Sequence, residues 1–199
     1  MILSNLKIIS GTSDNNIIGY NEPVVNPLTG ELTYLPWYLS NDMKHFKKTT
    51  TGLDVFMGRV TWETLPEQFR PLPNRNNMVI TRNQSFVALR GITMRSIDQA
   101  LEHIKQNKET IFFAIGGTQI YTEFLPHASG LYLTKVHTIV PESANNVLGP
   151  NFESFINDPK TKVVSAETFL ADEKNQFQHT IIHYQKELTS RTFGTTGGC

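Results

Sequence analysis

The sequence predicts an α/β fold with a largely parallel central sheet, and two observations support this prediction. Short apolar runs rich in β-branched and aromatic residues recur along the chain, and segments with helical periodicity separate several of them. The last two runs have no helical segment between them, so we expect them to pair antiparallel at an edge of the sheet. The seven runs lie at residues 6–9, 55–57, 78–80, 111–115, 131–136, 163–169 and 180–184.

Three segments have the periodicity of amphipathic helices. The clearest covers residues 96–107, where Ser96 and Gln99 are also placed as a capping box. A second helix is expected before the second run, and a third after the fourth run. Their apolar residues are, in that order, Ile97, Ala100, Leu101 and Ile104; Leu39, Met43 and Phe46; and Ile120, Tyr121, Phe124 and Leu125.

The composition excludes several classes of protein. The chain has 199 residues with 18 basic and 18 acidic side chains, so no net charge attracts a nucleic acid or an anionic membrane. Its length suits one domain, expected over residues 1–190, with a flexible tail at 191–199. The single cysteine, Cys199, favours a reducing compartment, and no apolar run approaches the roughly 20 residues of a membrane span. A cytoplasmic enzyme or binding domain is expected.

Residues 20–34 contain several turn-forming residues, among them Pro23, Asn26-Pro27 and Thr29-Gly30. They predict a surface loop or a small hairpin, in which residues 24–25 pair with residues 32–34. The segment is longer than most connections, which favours either a function or disorder.

Asp42 falls on the apolar side of the second predicted helix. Leu39, Asp42, Met43 and Phe46 are spaced at i, i+3, i+4 and i+7, so the carboxylate loses hydration and needs a polar partner. A ligand with a cationic or amidine-like edge would be such a partner. Alternatively, Asp42 only completes the start of the helix, where the helix dipole favours it. The spacing leaves both interpretations open.

Glycines follow two of the predicted strands and lead into helices. Gly58 precedes Arg59 and Thr61, and Gly116-Gly117 precede Thr118. Glycine allows close backbone approach, arginine supplies several donors, and each threonine is placed to cap a helix, so each segment could hold a phosphate. Each could also be an ordinary strand–helix turn, since neither matches the G-x-G-x-x-G or Walker pattern.

Two further arginines lie near predicted strand ends. Pro71 and Pro73 stiffen a loop in which Arg75 could present its guanidinium to a carboxylate, and Arg82 could meet a phosphate. A solvated surface position is the simpler interpretation for either arginine taken alone. The six histidines include no set with metal-ligand spacing, so no metal site is expected.

Taken together and in this order, these motifs resemble those of dihydrofolate reductases. They run in unbroken order from about residue 8 to residue 136, whereas the C-terminal third matches only in outline. The matching segments are Ile18-Gly19, Leu35-Pro36-Trp37, Asp42, Phe46-Lys47, residues 57–63, residues 70–77, Thr81-Arg82, residues 115–121 and residues 131–134.

The resemblance implies an eight-stranded, mostly parallel sheet flanked by helices, with NADPH and dihydrofolate meeting in a central cleft. Hydride would pass to C6 of 7,8-dihydrofolate and a proton to N5, giving tetrahydrofolate for one-carbon metabolism. Antifolate inhibitors would bind in the same cleft. The protein would be a monomer, with neither a nucleic acid nor a membrane as its partner.

The same resemblance implies roles for individual residues. Asp42 would bind the pterin and help to protonate N5, and Arg75 would pair with the α-carboxylate of the substrate. Leu35, Trp37 and Tyr121 would lie at the nicotinamide, where the reaction takes place. The remaining substrate-binding residues would be Ile9, Met43, Phe46, Lys47, Leu72, Ile115 and Thr134.

The implied cofactor site uses both glycine segments. Arg59 and Arg82 would meet the 2′-phosphate and so favour NADPH over NADH, and the Gly116–Gly117 peptide would be cis. The full set of implied cofactor residues is Gly11, Ile18, Gly19, Gly58, Arg59, Val60, Thr61, Thr81, Arg82, Gly116, Gly117, Thr118, Gln119 and Ile120.

Three features depart from the family pattern. Residues 20–34 are about ten residues longer than the active-site loop of compact bacterial members. Gly11 stands where an alanine is usual. Residues 143–150 lack the acidic residue that helps to hold that loop, so the loop is expected to be less firmly held, with consequences for product release.

Two other functions are considered beside dihydrofolate reduction. An NADPH reductase of the same fold that acts on a ribosylaminopyrimidine would need neither Arg75 nor Asp42 in this context. An inactive nucleotide-binding module would have no reason to keep a desolvated Asp42.

Overall fold

The computed structural model describes residues 1–188, which contain twelve strands and five α-helices. The strands are β1 (Leu3–Ser13), β2 (Ile17–Tyr20), β3 (Val24–Val25), β4 (Leu32–Thr33), β5 (Asp54–Gly58), β6 (Asn76–Ile80), β7 (Ile92–Met94), β8 (Phe112–Ala114), β9 (Ala128–Val136), β10 (Asn146–Leu148), β11 (Thr161–Phe169) and β12 (His179–Lys186). The helices are α1 (Ser40–Thr50), α2 (Arg59–Thr64), α3 (Ile97–Gln106), α4 (Thr118–Phe124) and α5 (Glu153–Ile156).

Eight strands form one sheet in the order β11-β12-β9-β1-β8-β5-β6-β7. The strands from β9 to β7 in this order pair in parallel, whereas β12 is antiparallel to both β9 and β11. The predicted fold class is therefore confirmed, and all seven predicted runs are strands of this sheet. The eighth strand, β7, is missing from the prediction because three residues are too few to show an alternating pattern.

The sheet buries both of its faces, because successive side chains of a strand point to opposite sides. Leu6 and Ile8 of β1 pack in the cluster that includes α3 and α4, and Ile9 packs in a second cluster with Trp62 of α2. Phe46 of α1 packs against this second cluster. The carboxyl ends of the parallel strands therefore meet at one edge, between α1 and the starts of α2 and α4.

The capping box predicted at α3 is formed with one change. The Ser96 Oγ accepts a hydrogen bond from the Gln99 N–H at 3.1 Å, as predicted. The Gln99 Oε1, however, accepts from the N–H of Arg95 at 2.7 Å rather than from that of Ser96. Two orphan N–H groups at the start of the helix are satisfied in either arrangement.

The predicted threonine caps of α2 and α4 are wrong. Gly58 and Gly117 are the N-cap residues, so Thr61 and Thr118 lie within the helices. Gly58 is the last residue of β5, and Gly117 follows the end of β8 after two further residues, so a glycine without a capping side chain occupies the N-cap position of each helix. The Thr118 Oγ1 instead donates to the Leu148 carbonyl at 2.5 Å, which ties α4 to β10.

Residues 20–34 contain the predicted hairpin, in which β3 pairs antiparallel with β4. At its turn, Asn26 is buried and its Oδ1 accepts from the N–H groups of Leu28 at 2.8 Å and Thr29 at 3.3 Å. The turn is thus held by its own asparagine, as is common for Asx-turns.

Asn145 holds the first residues of this segment, which corrects the expectation of a weakly held loop. Its Oδ1 accepts from the Glu22 N–H at 2.7 Å, and its Nδ2 donates to the Glu22 carbonyl at 3.1 Å. Its carbonyl accepts from the Asn21 N–H at 2.9 Å. A side-chain amide carries both a donor and an acceptor, so Asn145 pairs with the backbone without the carboxylate that the family pattern has here.

Within residues 1–188, no helix is long and apolar enough to cross a membrane. The expected tail at 191–199, with Cys199, lies outside the described residues.

Two histidines lie against Tyr132. The His183 ring stacks on the Tyr132 ring with 4.0 Å between centroids, and the His45 ring is 6.1 Å from it. In residues 1–188, the Nε2 atoms of both are buried without a hydrogen-bond partner. Burial lowers the pKa of both imidazoles; nearby Lys7 lowers the pKa of His183 further, and Asp42 partly offsets the effect on His45.

We expect the free energy of unfolding to decrease as the pH falls below about 6.5, the ordinary histidine pKa. In this range the unfolded chain binds protons that the folded protein excludes from His45 and His183. Urea unfolding at pH values from about 7.5 to about 5.5 measures the effect. The variant H45F/H183F is expected to lose less stability over this range than the parent. The variant H103Q, with a half-exposed histidine changed, should match the parent; an unchanged slope in H45F/H183F would contradict the assignment.

Candidate active site

A cleft of about 1360 Å³ opens at the carboxyl ends of the parallel strands, where ligands bind in open α/β sheets. Of the site residues that the resemblance implies, only Thr134 is not part of its wall. The wall includes Ile9, Gly11, Ile18, Gly19, Leu35, Trp37, Asp42, Met43, Phe46, Lys47, Gly58, Arg59, Val60, Thr61, Leu72, Arg75, Thr81, Arg82, Ile115, Gly116, Gly117, Thr118, Gln119, Ile120 and Tyr121.

Asp42 lies in the first turn of α1 with its carboxylate directed into the protein. Thr134 of β9, which is buried, donates its hydroxyl to Asp42 Oδ1 at 2.6 Å. Desolvation raises the pKa of Asp42, while the Thr134 hydrogen bond and the nearby His45 and His179 act in the opposite direction. Asp42 therefore lies in the first turn of a helix, where the helix dipole favours a carboxylate, and it is also a desolvated carboxylate at the cleft.

The apolar side of α1 faces the cleft rather than the core. Met43 is 51% exposed although it lies in the apolar stripe, and Phe46 is half-buried. Ile9 and Leu72, which are buried, complete the apolar surface beside them. Apolar side chains left open next to one carboxylate form a surface that suits a flat ligand with a polar edge.

Arg75 is held in place by three hydrogen bonds. Its Nε donates to Thr50 Oγ1 at 2.9 Å, its Nη1 to the Pro73 carbonyl at 3.0 Å and its Nη2 to Thr51 Oγ1 at 3.2 Å. The guanidinium carbon lies 5.5 Å from the centre of the Phe46 ring. A guanidinium has five N–H groups, so two stay available to a ligand. Partial burial lowers the pKa of Arg75, but an arginine stays charged at neutral pH.

The two glycine segments meet at the centre of the cleft. The Gly58 N–H donates to the Gly116 carbonyl at 2.8 Å, and the Gly116–Gly117 peptide is cis. A Cβ at Gly116 or Gly117 would lie 3.3 Å from Thr61 Oγ1, and Gly116 has φ of +136°. Both positions therefore need glycine, and the exposed backbone forms a concave wall.

Trp37 explains the glycine that departs from the family pattern. Its ring is buried, and a Cβ at Gly11 would lie 3.2 Å from the ring atom Cζ2. Glycine at this position lets the indole approach the end of β1. In residues 1–188, the Trp37 Nε1 is buried without a partner, which leaves a donor next to the cleft.

Tyr121 of α4 is buried, and its hydroxyl donates to the Ile9 carbonyl at 2.9 Å. Burial raises the pKa of Tyr121, so the phenol stays neutral at physiological pH. The contact joins α4 to the middle of β1, and the phenol proton is already used in this hydrogen bond.

The arginines at the far end of the cleft differ in their availability. Arg59 donates to Glu63 at 2.6 Å, one turn along α2, whereas Arg82 is exposed and makes no side-chain hydrogen bond in residues 1–188. Arg95, which the sequence prediction omitted, also lines this end, with its Nη1 donating to the Asn83 carbonyl at 2.7 Å. Arg95 directly follows β7, so a sequence prediction that included this strand would have placed Arg95 beside Arg82.

The described part of the chain contains no group of three or more His, Cys, Asp or Glu side chains that could hold a metal ion.

Comparisons with known proteins agree with this geometry. The family model described as "Dihydrofolate reductase" matches residues 5–186. Dihydrofolate reductase of Bacillus subtilis is 36% identical over 169 residues, which cover 85% of this chain and 94% of that protein. Dihydrofolate reductase of Mycobacterium tuberculosis is 38% identical over 116 residues, 58% of this chain and 68% of that protein.

A solved structure is similar in fold as well. Dihydrofolate reductase from Enterococcus faecalis, complexed with NADP(H) and RAB-propyl, superposes with a TM-score of 0.71 and 26% identity, covering 93% of this chain and 98% of that one. The chain therefore belongs to the dihydrofolate reductase family, the enzymes that reduce 7,8-dihydrofolate with NADPH.

Proposed function

We propose that this chain reduces 7,8-dihydrofolate to 5,6,7,8-tetrahydrofolate, with Asp42 binding the pterin and helping to protonate N5. The observation that carries the proposal is the desolvated carboxylate of Asp42 among the apolar walls of the cleft; the other carboxylate that lines the cleft in residues 1–188, Glu31, is exposed in the hairpin. The amino group and ring N–H of a pterin are two donors that match the two oxygens of a carboxylate. Desolvation raises the pKa of Asp42, so this group takes up a proton more readily than an exposed aspartate does, beside the reacting ring.

The rest of the substrate would lie along α1. Met43, Phe46 and Leu72 offer apolar surface to the aminobenzoyl group, with Ile9 and Ile115 beneath the pterin. At the open end, the two unused N–H groups of Arg75 would pair with the α-carboxylate, and Lys47 adds a positive charge.

The residues present also fit NADPH, which supplies the hydride when bound. The glycine backbone at Gly58, Gly116 and Gly117 leaves room that a Cβ would fill. Leu35 and Trp37 would exclude water at the nicotinamide, and the orphan Nε1 of Trp37 can donate to a ligand or an ordered water. Val60, Thr61, Thr81, Thr118, Gln119 and Ile120 would line the remaining cofactor channel, together with Ile18 and Gly19.

The test is an assay of the purified chain that follows NADPH absorbance. Oxidation of NADPH with dihydrofolate, and none with a ribosylaminopyrimidine, is the expected result. Turnover with the pyrimidine alone would support the other reductase of this fold. Binding of NADPH without turnover of either compound would support an inactive module.

Arg82→Gln is expected to reduce the preference for NADPH over NADH by more than about tenfold, because a charge-assisted hydrogen bond contributes roughly 1.5–3 kcal/mol. Arg59 contributes less, since Glu63 already holds it. The ratio of kcat/KM for the two cofactors is the measurement. Lys108→Gln removes the same charge from an exposed site outside the cleft and should leave the ratio unchanged. An equal ratio in R82Q and the parent would refute the role of Arg82.

The proposal also includes one catalytic domain over residues 1–190, acting as a cytoplasmic monomer whose cleft binds antifolate inhibitors. The use of a single cysteine in 199 residues supports a reducing compartment.

A further inference from the structure

The helix that carries Asp42 does not cap its own start. The N-cap residue of α1 is Leu39, whose side chain has no hydrogen-bond acceptor. The first N–H groups of a helix have no partner within it, and an uncapped start frays. Asp42 is the third residue of α1, so fraying of the first turn would displace its carboxylate.

The turn between β11 and β12 supplies the missing acceptors. The Asn175 Oδ1 accepts from the N–H of Asn41 at 3.1 Å, and the Lys174 carbonyl accepts from the N–H of Ser40 at 3.0 Å. Asn175 thus takes the position of an N-cap side chain, although it lies more than 130 residues from α1 in sequence.

Asn175 is itself rigidly held. It is 2% exposed, and its Nδ2 donates to Asp172 Oδ1 at 2.9 Å. The same Asp172 oxygen accepts from the Lys174 N–H at 2.7 Å, and Leu39 and Asn175 form a β-bridge. Both polar ends of the side chain are used, so its orientation is determined.

We propose that Asn175 is a positioning residue for the reaction: by capping α1 from the turn between β11 and β12, it holds the Asp42 carboxylate against Thr134. This inference rests on the proposed role of Asp42. The link is short, because Asn41 and Asp42 are adjacent and, within residues 1–188, the Thr134 hydroxyl at 2.6 Å is the hydrogen-bond partner of the Asp42 carboxylate.

The first prediction is a slower hydride step without Asn175. Asn175→Leu keeps the branched shape of the side chain but cannot accept the Asn41 N–H, and the smaller Asn175→Ala serves as a second variant if the first is not recovered folded. The plateau rate of single-turnover hydride transfer is expected to fall by roughly tenfold, because small misplacements of a reacting group are costly. The affinity for NADPH, measured by fluorescence, should change by less than about twofold, since the cofactor end of the cleft is untouched.

The pH profile distinguishes positioning from a general loss of stability. With α1 loosened, the Asp42 carboxylate gains water; because desolvation is the largest cause of its raised pKa and outweighs the Thr134 hydrogen bond, the midpoint of the pH–rate profile should move to lower pH. His45 and His179, the other groups that act on Asp42, are unchanged in these variants.

Matched controls complete the experiment. Asn5→Ala removes three hydrogen bonds at the end of α3, outside the cleft, and should lower the melting temperature without moving the pH midpoint. Asp172→Asn/Asn175→Asp exchanges the amide and the carboxylate, so an acceptor again faces Asn41. The plateau rate of this double variant should lie within about threefold of the parent rate, because the cap of α1 is restored.

The outcomes separate the two proposals. If the parent chain does not reduce dihydrofolate, the proposed function fails and the role of Asn175 fails with it. If the parent is active but N175L behaves like N5A, or if the double variant stays as slow as N175L, the positioning role alone is overturned.

Discussion

Replacement of Asp42 by asparagine is expected to lower hydride-transfer turnover at neutral pH by roughly 10²–10⁴-fold, the range typical of losing a general acid or base. The amide has the same shape and can still accept the Thr134 hydroxyl, so the fold and NADPH binding should persist. The pKa of an amide lies far outside the physiological range. The asparagine of D42N therefore cannot take up and release a proton as the desolvated carboxyl of Asp42 can.

The pH dependence of this loss is the sharper test. A carboxyl whose pKa is raised carries its proton at higher pH than an exposed one, so the parent should be active where solvent rarely protonates N5. In acid, solvent supplies the proton and the difference between D42N and the parent should shrink. Pre-steady-state rates from about pH 5 to about pH 8 measure it. Asp54→Asn, at the opposite end of the sheet, is the matched control, and parent-like rates in D42N across this range would exclude Asp42 as the proton source.

Replacement of Arg75 by leucine is expected to weaken dihydrofolate binding by roughly 2–4 kcal/mol, or about 30–1000-fold. A carboxylate in the cleft would lose the two N–H groups that Arg75 leaves free. Thr50 and Thr51 would lose their guanidinium partner, but both hydroxyls also donate to carbonyls of α1, at 2.7 and 2.6 Å, so the helix should keep its end.

A truncated ligand identifies the contact that Arg75 makes. A pterin without the glutamate tail should bind R75L and the parent almost equally, in a titration followed by fluorescence. Arg70→Leu changes another arginine of the same loop, outside the cleft, and should leave both affinities unchanged. If the truncated pterin loses as much affinity as dihydrofolate, Arg75 does not bind the tail.

Local patterns were sufficient to predict the central sheet and the largest helices. Residues 6–9 and 55–57 alternate or stay apolar because strands of a parallel sheet are covered on both faces, so each run indicates a strand by itself. The stripe of α3 was equally clear, with Ser96 at its start. The strand β7 was not predictable, because it has three residues at the edge of the sheet. They bury too little apolar surface to produce an alternating hydrophobic pattern in the sequence.

The position of a cleft residue was predictable where the sequence of a single segment determines it. The desolvated position of Asp42 followed from helical spacing within α1, and the glycines at 116 and 117 followed from their place after a strand. The predicted threonine caps were wrong because sequence spacing could not show that the helices start directly after Gly58 and Gly117.

The sequence by itself thus determined the α/β class, the strand runs, the carboxylate in the cleft and the family. Only the tertiary structure decided what holds these parts in place: Asn145 on the backbone of Glu22, and Asn175 at the start of α1. The physical reason is the range of the interactions. Hydrophobic periodicity is repeated over many neighbouring residues, whereas a single hydrogen bond across more than 100 residues leaves no local pattern and exists only once the chain has folded.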